Sequence, residues 1–453
     1  MTHDVAIGFD FGTSNSAIAV VEGGNSGPRL LRLDTARPDS TLVPTTLYFR
    51  PDGSLHIGHD AIRTFASLEA GRTIVRERQQ VTHEIDTVYG REMVVAEIEV
   101  NQSGRFFQSL KRSLPDASFG GTEIFGDFHT PEDLISAFAA EMRERAEQAL
   151  DRSVKSAMVG RPVHWSSNSK GDELALKRME VALRRAGFES FEFMPEPIAA
   201  GIRLASTLDA PQTVLVFDFG GGTLDVTVMR IGGGVRDVLS TAGIPIGGDL
   251  LDEDVMDRRL LRYFGEHLRW GPQQLPMPQH ILDTVRRWYT IPELNDPNTL
   301  RFLRDLERER KHETRRQARA LLSLARGNHG WPLFREIERA KIGLSTSEEE
   351  HVRYAADQIA IDEPLSRRDF EGLIDIRVRQ AAACIEEALE SAGLASDEID
   401  AVMHTGGSSL IPRFQRMLAD TFGPDKLLHQ DAFTSVASGL ALAAHDRVGA
   451  DAA

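Results

Sequence analysis

The sequence predicts an α/β protein made of two similar lobes, and three observations predict it. The tetrapeptide FDFG occurs twice, in "VAIGFDFGTSNSAIAVVEGG" near the start and in "TVLVFDFGGGTLDVTVMRIGGG" at mid-chain. Each copy is an apolar run, an aspartate, a turn rich in glycine and serine or threonine, and a second run of β character. The chain has 453 residues, more than one ordinary core holds, so two or more domains are expected.

The opening segment reads as strand, turn, strand. Val5, Ile7 and Phe9 alternate with Ala6 and Gly8, and "AIAVVEGG" follows before a glycine stop. A short strand, "TTLYF", ends at the turn "PDG". Helical patterns occupy 131–150, with Pro131 in its first turn and Thr130 as its cap, and 171–186. Residues 213–231 repeat the strand–turn–strand theme. There "VLVF" reads as a buried strand, and Leu224, Val226 and Val228 alternate with Asp225, Thr227 and Met229. The stretch 265–330 differs: a Pro-rich run, "WGPQQLPMPQHILDT", then "RFLRDLERERKHETRRQARALL", read as one mixed-charge helix. Residues 301–320 carry eight Lys/Arg and four Asp/Glu, as on a solvated helix face or a partner-docking one. Helices are expected at 331–344 and 366–392, then the strand–turn–helix "IDAVMHTGGSSLIPRFQRMLADTF". Two halves opening on the same hairpin suggest a duplication whose two turns approach one ligand in a shared cleft.

The net charge of −16 argues against general binding to nucleic acid or to an anionic membrane. No apolar run reaches the roughly 18–20 residues of a membrane span. The start "MTHDVAIGFD" lacks a signal-peptide pattern. Cys384 is the only cysteine, so no internal disulfide is expected; with neighbours in "QAAACIEEAL" it reads as a buried thiol of a cytoplasmic protein. The 14 histidines show no H-x-x-x-H pattern.

Glycine-rich turns line up successive N–H groups into an anion site, because glycine tolerates φ > 0 and close approach. Gly12, Thr13 and Ser14 form one such turn; Gly220, Gly221, Gly222 and Thr223 form the other. One turn alone is equally an ordinary hairpin, but two copies, each behind an aspartate, point to phosphate. Asp10 and Asp218 end apolar strands, where an unpaired carboxylate is costly. Either each bonds its own turn, or the two share a hydrated Mg²⁺. A third cluster, Gly406 and Gly407, joins a strand to a helix and would admit a base or a phosphate.

Together "GFDFGTSNSAIAV", "MPEPIAAGI", "VFDFGGGTLDVTV", "PIGGDLLD", "ERAKIGLS" and "GGSSLIPRFQRML" resemble, in order, the nucleotide-binding domain of DnaK-type heat-shock chaperones, within the actin-like ATPase superfamily. Within that family the chain is most similar to the short bacterial proteins called YegD. The resemblance runs from about residue 5 to 445, apart from 265–330. It implies a two-lobed actin-like ATPase fold, two ribonuclease-H-like domains around a nucleotide cleft. Lobe I would be 1–211 with 428–453, and lobe II 212–427 with 265–330 as a helical insertion.

The resemblance also implies ATP or ADP with Mg²⁺, held through water by Asp10 and Asp218. Gly12, Thr13, Ser14 and Asn15, then Gly220, Gly221, Gly222 and Thr223, would hold the phosphates. Lys111 in "SLKRSL", Asp225 and Thr223 would align the attacking water, and Glu196 in "PEP" would sense the nucleotide. Gly247 and Gly248, with Glu338, Lys341 and Ser345, and Gly406, Gly407 and Ser408 opposite, would complete the nucleotide contacts. Several positions depart from the family. Ile342 stands where an arginine stacks on adenine, Ile198 where the family has threonine, and Phe433 and Thr434 where it has acidic residues. The sequence stops where the family continues into a peptide-binding domain, so none is expected here.

The expected function is that of an ATP-binding, slowly hydrolysing, DnaK-like chaperone switch with an unidentified protein partner or client. A non-hydrolysing nucleotide-dependent scaffold is the alternative, and a metabolite kinase of the same superfamily a lesser one.

Overall fold

The computed structural model describes residues 5–22, 27–82, 93–166, 169–205, 208–429 and 435–451. The chain divides into two compact units. One comprises Met1–Ile62, Phe106–Leu251 and Glu371–Ala453; the other comprises Arg63–Arg105 and Asp252–Phe370.

The first unit contains two sheets of the same design. In the first, β1 (Ala6–Phe11) pairs antiparallel with β2 (Asn15–Val20) and parallel with β3 (Ser156–Arg161), which pairs parallel with β4 (Ser190–Pro195). The two-residue strand Arg29–Leu30 adds antiparallel to β2. In the second sheet, β5 (Gln212–Phe219) pairs antiparallel with β6 (Leu224–Gly232), which pairs antiparallel with β7 (Val235–Ile244). On its other side β5 pairs parallel with β8 (Ala401–Thr405), and β8 with β9 (Leu427–His429). Strand for strand, β1 corresponds to β5, β2 to β6, β3 to β8 and β4 to β9.

Parallel neighbours need long crossovers, and helices supply them at matching places. α1 (Pro131–Leu150) precedes β3, α2 (Ser169–Arg185) links β3 to β4, and α3 (Glu196–Ala205) follows β4. In the second half α4 (Asp375–Ala392) precedes β8, α5 (Pro412–Phe422) links β8 to β9, and α6 (Ser435–Asp451) follows β9. α1 starts where its sequence predicts: Thr130 and Asp133 form a reciprocal capping box and Pro131 fills the first turn. The expected 366–392 helix is two helices, Arg367–Leu373 and α4, because the intervening Ile374 is drawn fully into the interior.

Period-two alternation explains the FDF triplets. Phe9 and Phe11 are fully buried on one face of β1, and Phe217 and Phe219 on one face of β5. Phe219 packs edge-on to Phe414 of α5, ring centroids 4.7 Å apart. The aspartate between each pair therefore emerges on the opposite face. A shared core joins the halves there: Met158 of β3, Ala199 and Ala200 of α3, Val214 and Val216 of β5, Met229 of β6, and Val436 and Leu440 of α6. Gly8 lets α6 lie directly on β1, since a Cβ there would sit 2.3 Å from the Ala441 nitrogen.

In the second unit, the hairpin Arg76–Thr82/Met93–Glu99 belongs with a mostly helical body. Its two chain segments are tied by the Ile74 N–H to the Asn295 carbonyl (3.1 Å) and by Asn328 Nδ2 to the Ala66 carbonyl (2.9 Å). The single mixed-charge helix expected from the sequence is instead two, Pro297–Glu307 and His312–Arg326. They pack on each other, burying Leu300, Leu303 and Leu306 against a stripe that includes Ala318, Leu321 and Ala325. One straight helix could not bring these apolar stripes together, so the charged run Arg308–Lys311 becomes the bend. Among the described residues no helix is long and apolar enough to cross a membrane.

Candidate functional site

The β1–β2 turn is fixed from one side. The Thr45 hydroxyl donates to the Gly12 carbonyl (2.9 Å), the Thr45 N–H to the Ser14 carbonyl (2.8 Å), and Thr45 and Ser16 share a buried hydroxyl bond of 2.8 Å. Gly12 is required: a Cβ would stand 2.1 Å from the Asn15 carbonyl oxygen.

The β5–β6 turn is held by its carbonyls. The Gly220 carbonyl accepts from the Gly248 N–H (3.0 Å) and from the Ser408 hydroxyl (3.0 Å). The Gly221 carbonyl accepts from the Asp249 N–H (2.9 Å), and the Gly222 carbonyl from Arg112 Nη2 (2.5 Å). In a trans peptide the following N–H points opposite to the carbonyl. The N–H groups of Gly221, Gly222 and Thr223 are thus turned away from these partners, the orientation an anion cradle needs. Gly247 and Gly406 permit this close seating, since a Cβ on Gly247 would stand 2.2 Å from the Gly221 carbonyl oxygen and one on Gly406 2.3 Å from that of Phe219, at the end of β5. The two turns also meet: a Cβ on Gly221 would stand 2.8 Å from Ser14 Oγ, which donates to Asp249 Oδ2 (3.3 Å) on the helix Gly248–Val255 behind the second turn.

Both turns open on one cavity of about 810 Å³ within the first unit. Asp10, Lys111, Glu196, Asp218 and Asp225 line it, with Gly12, Thr13, Ser14, Asn15, Gly220, Gly221, Gly222, Thr223, Gly406 and Gly407. Lys111 is only 8 % exposed, on a 3₁₀ turn, Leu110–Ser113, and donates to Glu196 Oε1 at the start of α3 (2.6 Å). Strand register sets Asp218 directly opposite Asp225. Like charges so placed disfavour full ionisation.

Burial, then Glu196, raises Asp10 to about 7, against the pull of Lys111. Burial and then Asp225 push Asp218 well above the ordinary carboxylate value. Burial and Glu196 raise Asp225 to about 6, with a Thr223 hydrogen bond opposing. Burial disfavours the Lys111 ammonium, but Glu196, Asp10 and Asp225 outweigh it and hold its pKa above normal. The site is therefore short of positive charge. A cation entering it would lower all three aspartate values.

Carboxylate oxygens suit Mg²⁺. Among the described residues no three His, Cys, Asp or Glu side chains are close enough to ligate a metal directly. Asp10 and Asp218, on the cavity wall that the two glycine turns share, fit an ion that keeps waters and takes phosphate oxygens.

Gly247 and Gly248 brace the second turn. Glu338, Lys341 and Ser345 belong to the second unit, on or just after the helix Gly330–Gly343. There Glu338 accepts from Arg335 (2.8 Å) and Lys341 pairs with Asp252 (2.8 Å). Ile342 is 62 % exposed, whereas Ile198 packs against the shared core of the first unit. Phe433 and Thr434 lie outside the described residues.

Sequence reasoning missed Arg112, beside Lys111, and Trp165, whose ring centroid is 5.6 Å from Lys111 Nζ; both line the cavity. It also missed the His164–Asp172 pair at the same wall, Nδ1 to Oδ2 2.9 Å. The adjacency of Lys111 and Arg112 was the only available signal.

The family model for Hsp70 protein matches residues 6–269 and 309–452. The unmatched 270–308 falls inside the stretch that the sequence sets apart. The chain is 26 % identical over 448 residues to the chaperone protein DnaK of Thermus thermophilus, covering 96 % of this chain and 60 % of that one. It is 28 % identical over 455 residues to the heat shock 70 kDa protein BIP3 of Oryza sativa, covering 97 % and 56 %. To the DnaK of Methanothermobacter thermautotrophicus it is 25 % identical over 445 residues, covering 96 % and 59 %. The chain thus spans about three-fifths of the length of these relatives. The matched residues carry two mixed sheets of one topology, consistent with an actin-like ATPase, and the chain belongs to the Hsp70 family.

Proposed function

We propose that the chain binds ATP with Mg²⁺ and hydrolyses it slowly to ADP and phosphate, as a DnaK-like chaperone switch. The observation that carries this is the cavity of the first unit, where two glycine turns meet around Asp10, Asp218, Asp225, Glu196 and Lys111. Phosphoryl transfer to water needs positioning and charge neutralisation more than covalent chemistry. The N–H groups of Gly221, Gly222 and Thr223, with the hydroxyls of Thr13 and Ser14, would bind phosphate oxygens. Asp225, hydrogen-bonded to Thr223, and Lys111, aimed by Glu196, would orient water toward the γ-phosphate. Asp10 and Asp218 would hold hydrated Mg²⁺, which when bound offsets charge on the phosphates.

The adenosine contacts assigned by resemblance to Glu338, Lys341, Ser345, Gly406, Gly407 and Ser408 are part of the same reading. So are YegD-like character, cytoplasmic location and a switch in which nucleotide state sets closure of lobes 1–211 with 428–453 and 212–427. A protein partner would read that closure.

Single-turnover ATP hydrolysis by the wild type, Lys111→Ala and Asp218→Asn tests the assignment. Each variant is expected to lose about 10²–10³-fold in rate; wild-type rates in both would refute it. The exposure of Ile342 and the aliphatic, half-buried side chain of Ile198 where the family has threonine favour a second reading, a scaffold that binds nucleotide without turning it over. Nucleotide heats by calorimetry with no phosphate release would select it.

A further inference from the structure

We infer that Arg112 is the residue by which this site distinguishes a nucleoside triphosphate from a diphosphate. The inference rests on the nucleotide reading above and extends it to the regulation of the same site.

The turn Leu110–Ser113 carries two cations in succession and sends them to different halves of the first unit. Lys111 goes to Glu196, in the first half of the chain. Arg112 reaches the Gly222 carbonyl, in the second glycine turn, at 2.5 Å. The turn begins at Ser109 with φ +55, a left-handed conformation that a serine adopts only when its surroundings enforce it. Those surroundings are closely packed and hydrogen-bonded. Leu110 and Leu114 are buried in the first-half core, 5 % and 0 % exposed. Arg178 of α2 clamps the following chain, donating from Nη1 to the carbonyls of Ser113 (2.9 Å), Leu114 (3.1 Å) and Asp116 (2.9 Å), and from Nη2 to Phe119 (3.0 Å). Only the side chain of Arg112 is long and exposed enough to adapt.

Among the described residues, the bond to Gly222 is the one hydrogen bond that the Arg112 guanidinium makes. That acceptor is neutral. A guanidinium presents five N–H donors in a fixed fork and prefers an anionic oxygen, to which its bonds are roughly twice as strong. Arg112 lines the cavity beside Lys111 and the second glycine turn, where a terminal phosphate would lie. It can keep the carbonyl of Gly222 and add that phosphate, closing turn to turn. A diphosphate offers no such oxygen there and leaves the arginine on its neutral partner. Among the described residues, Lys111 and Arg112 are the only Lys or Arg side chains in the cavity lining, against Asp10, Asp218, Asp225 and Glu196, so Arg112 carries a large share of the positive charge that can offset a terminal phosphate.

The test is competitive displacement of a fluorescent nucleotide, with Mg²⁺, by ADP and by a non-hydrolysable ATP analogue. Wild type is compared with Arg112→Ala, Arg112→Gln and Arg112→Lys. Arg112→Ala and Arg112→Gln are expected to lose about tenfold or more in affinity for the triphosphate, while ADP stays within about twofold. Arg112→Lys keeps the charge without the fork and should fall between them and wild type. Arg112→Gln keeps a polar, uncharged side chain at this exposed position, so it guards against a simple loss of fold; the melting curve of each unliganded variant checks this directly. Equal losses for both nucleotides, or wild-type behaviour of Arg112→Gln, would overturn the inference and leave nucleotide binding intact. Absence of binding by the wild type would overturn both.

Discussion

Asp34 shows what a single buried carboxylate contributes here. It is 3 % exposed and accepts from the backbone N–H groups of Ala36 (2.9 Å), Arg37 (2.9 Å) and His59 (3.2 Å), and from His59 Nδ1 (2.8 Å). Burial alone would raise its pKa, but the bonds from His59 and Arg37 outweigh burial and hold it below 3.8. A folded value below the unfolded one means that the stabilisation is present above the unfolded pKa and is lost as pH falls through the folded one. Asp34→Ala should therefore cost about 1–3 kcal/mol at pH 7 in urea unfolding, a difference that shrinks below pH 4. A constant difference down to pH 2 would contradict this. At this scale a repeated motif in the sequence points at Asp10 and Asp218, and the structure places both on one cavity. It did not reveal Arg112 or Trp165: which way each of two neighbouring cations turns depends on the twist at Ser109 and on the distant Gly222, and neither leaves a local pattern.

Strands and helices were legible where one face is apolar, as in β1, β5 and α1. They were misread where charge hid a bend, in the pair Pro297–Glu307 and His312–Arg326. The reason for Gly8 was also hidden, for a strand glycine looks like a weak point until a helix backbone is found against it. A Cβ at Gly8 would meet the backbone of Leu440 and Ala441 at 2.7 and 2.3 Å, and one at Gly439 the Ala199 carbonyl at 1.9 Å. Gly8→Ala and Gly439→Ala should each destabilise by about 1–3 kcal/mol through forced displacement of α6. Gly372→Ala, on a helix with nothing within 4 Å, should be neutral or stabilise by about 0.5 kcal/mol. Urea midpoints for the three variants would show whether backbone proximity, rather than helix or strand membership, decides the sign.

For the whole molecule, the two-half pattern came through, since each half opens on the same hairpin. The grouping of Arg63–Arg105 with Asp252–Phe370 did not: it depends on bonds such as Ile74 to Asn295, between segments far apart in sequence, which periodicity cannot register. If both hairpin turns hold one nucleotide, its binding must act on both at once. Mg-ATP should slow hydrogen exchange in 9–16 and in 217–225 together, by mass spectrometry. Protection of one segment alone, or of neither, would count against a shared ligand.

Alternation along β1 and β5 also limits how this chain can change. Inserting or deleting one residue within either strand would shift its pleat by one place, turning an aspartate inward among phenylalanines and a phenylalanine out to the cavity. The strand segments leading into the turns are thus frozen in length. Variation in size has to fall elsewhere, and the stretch outside the family match, 270–308, contains neither strand.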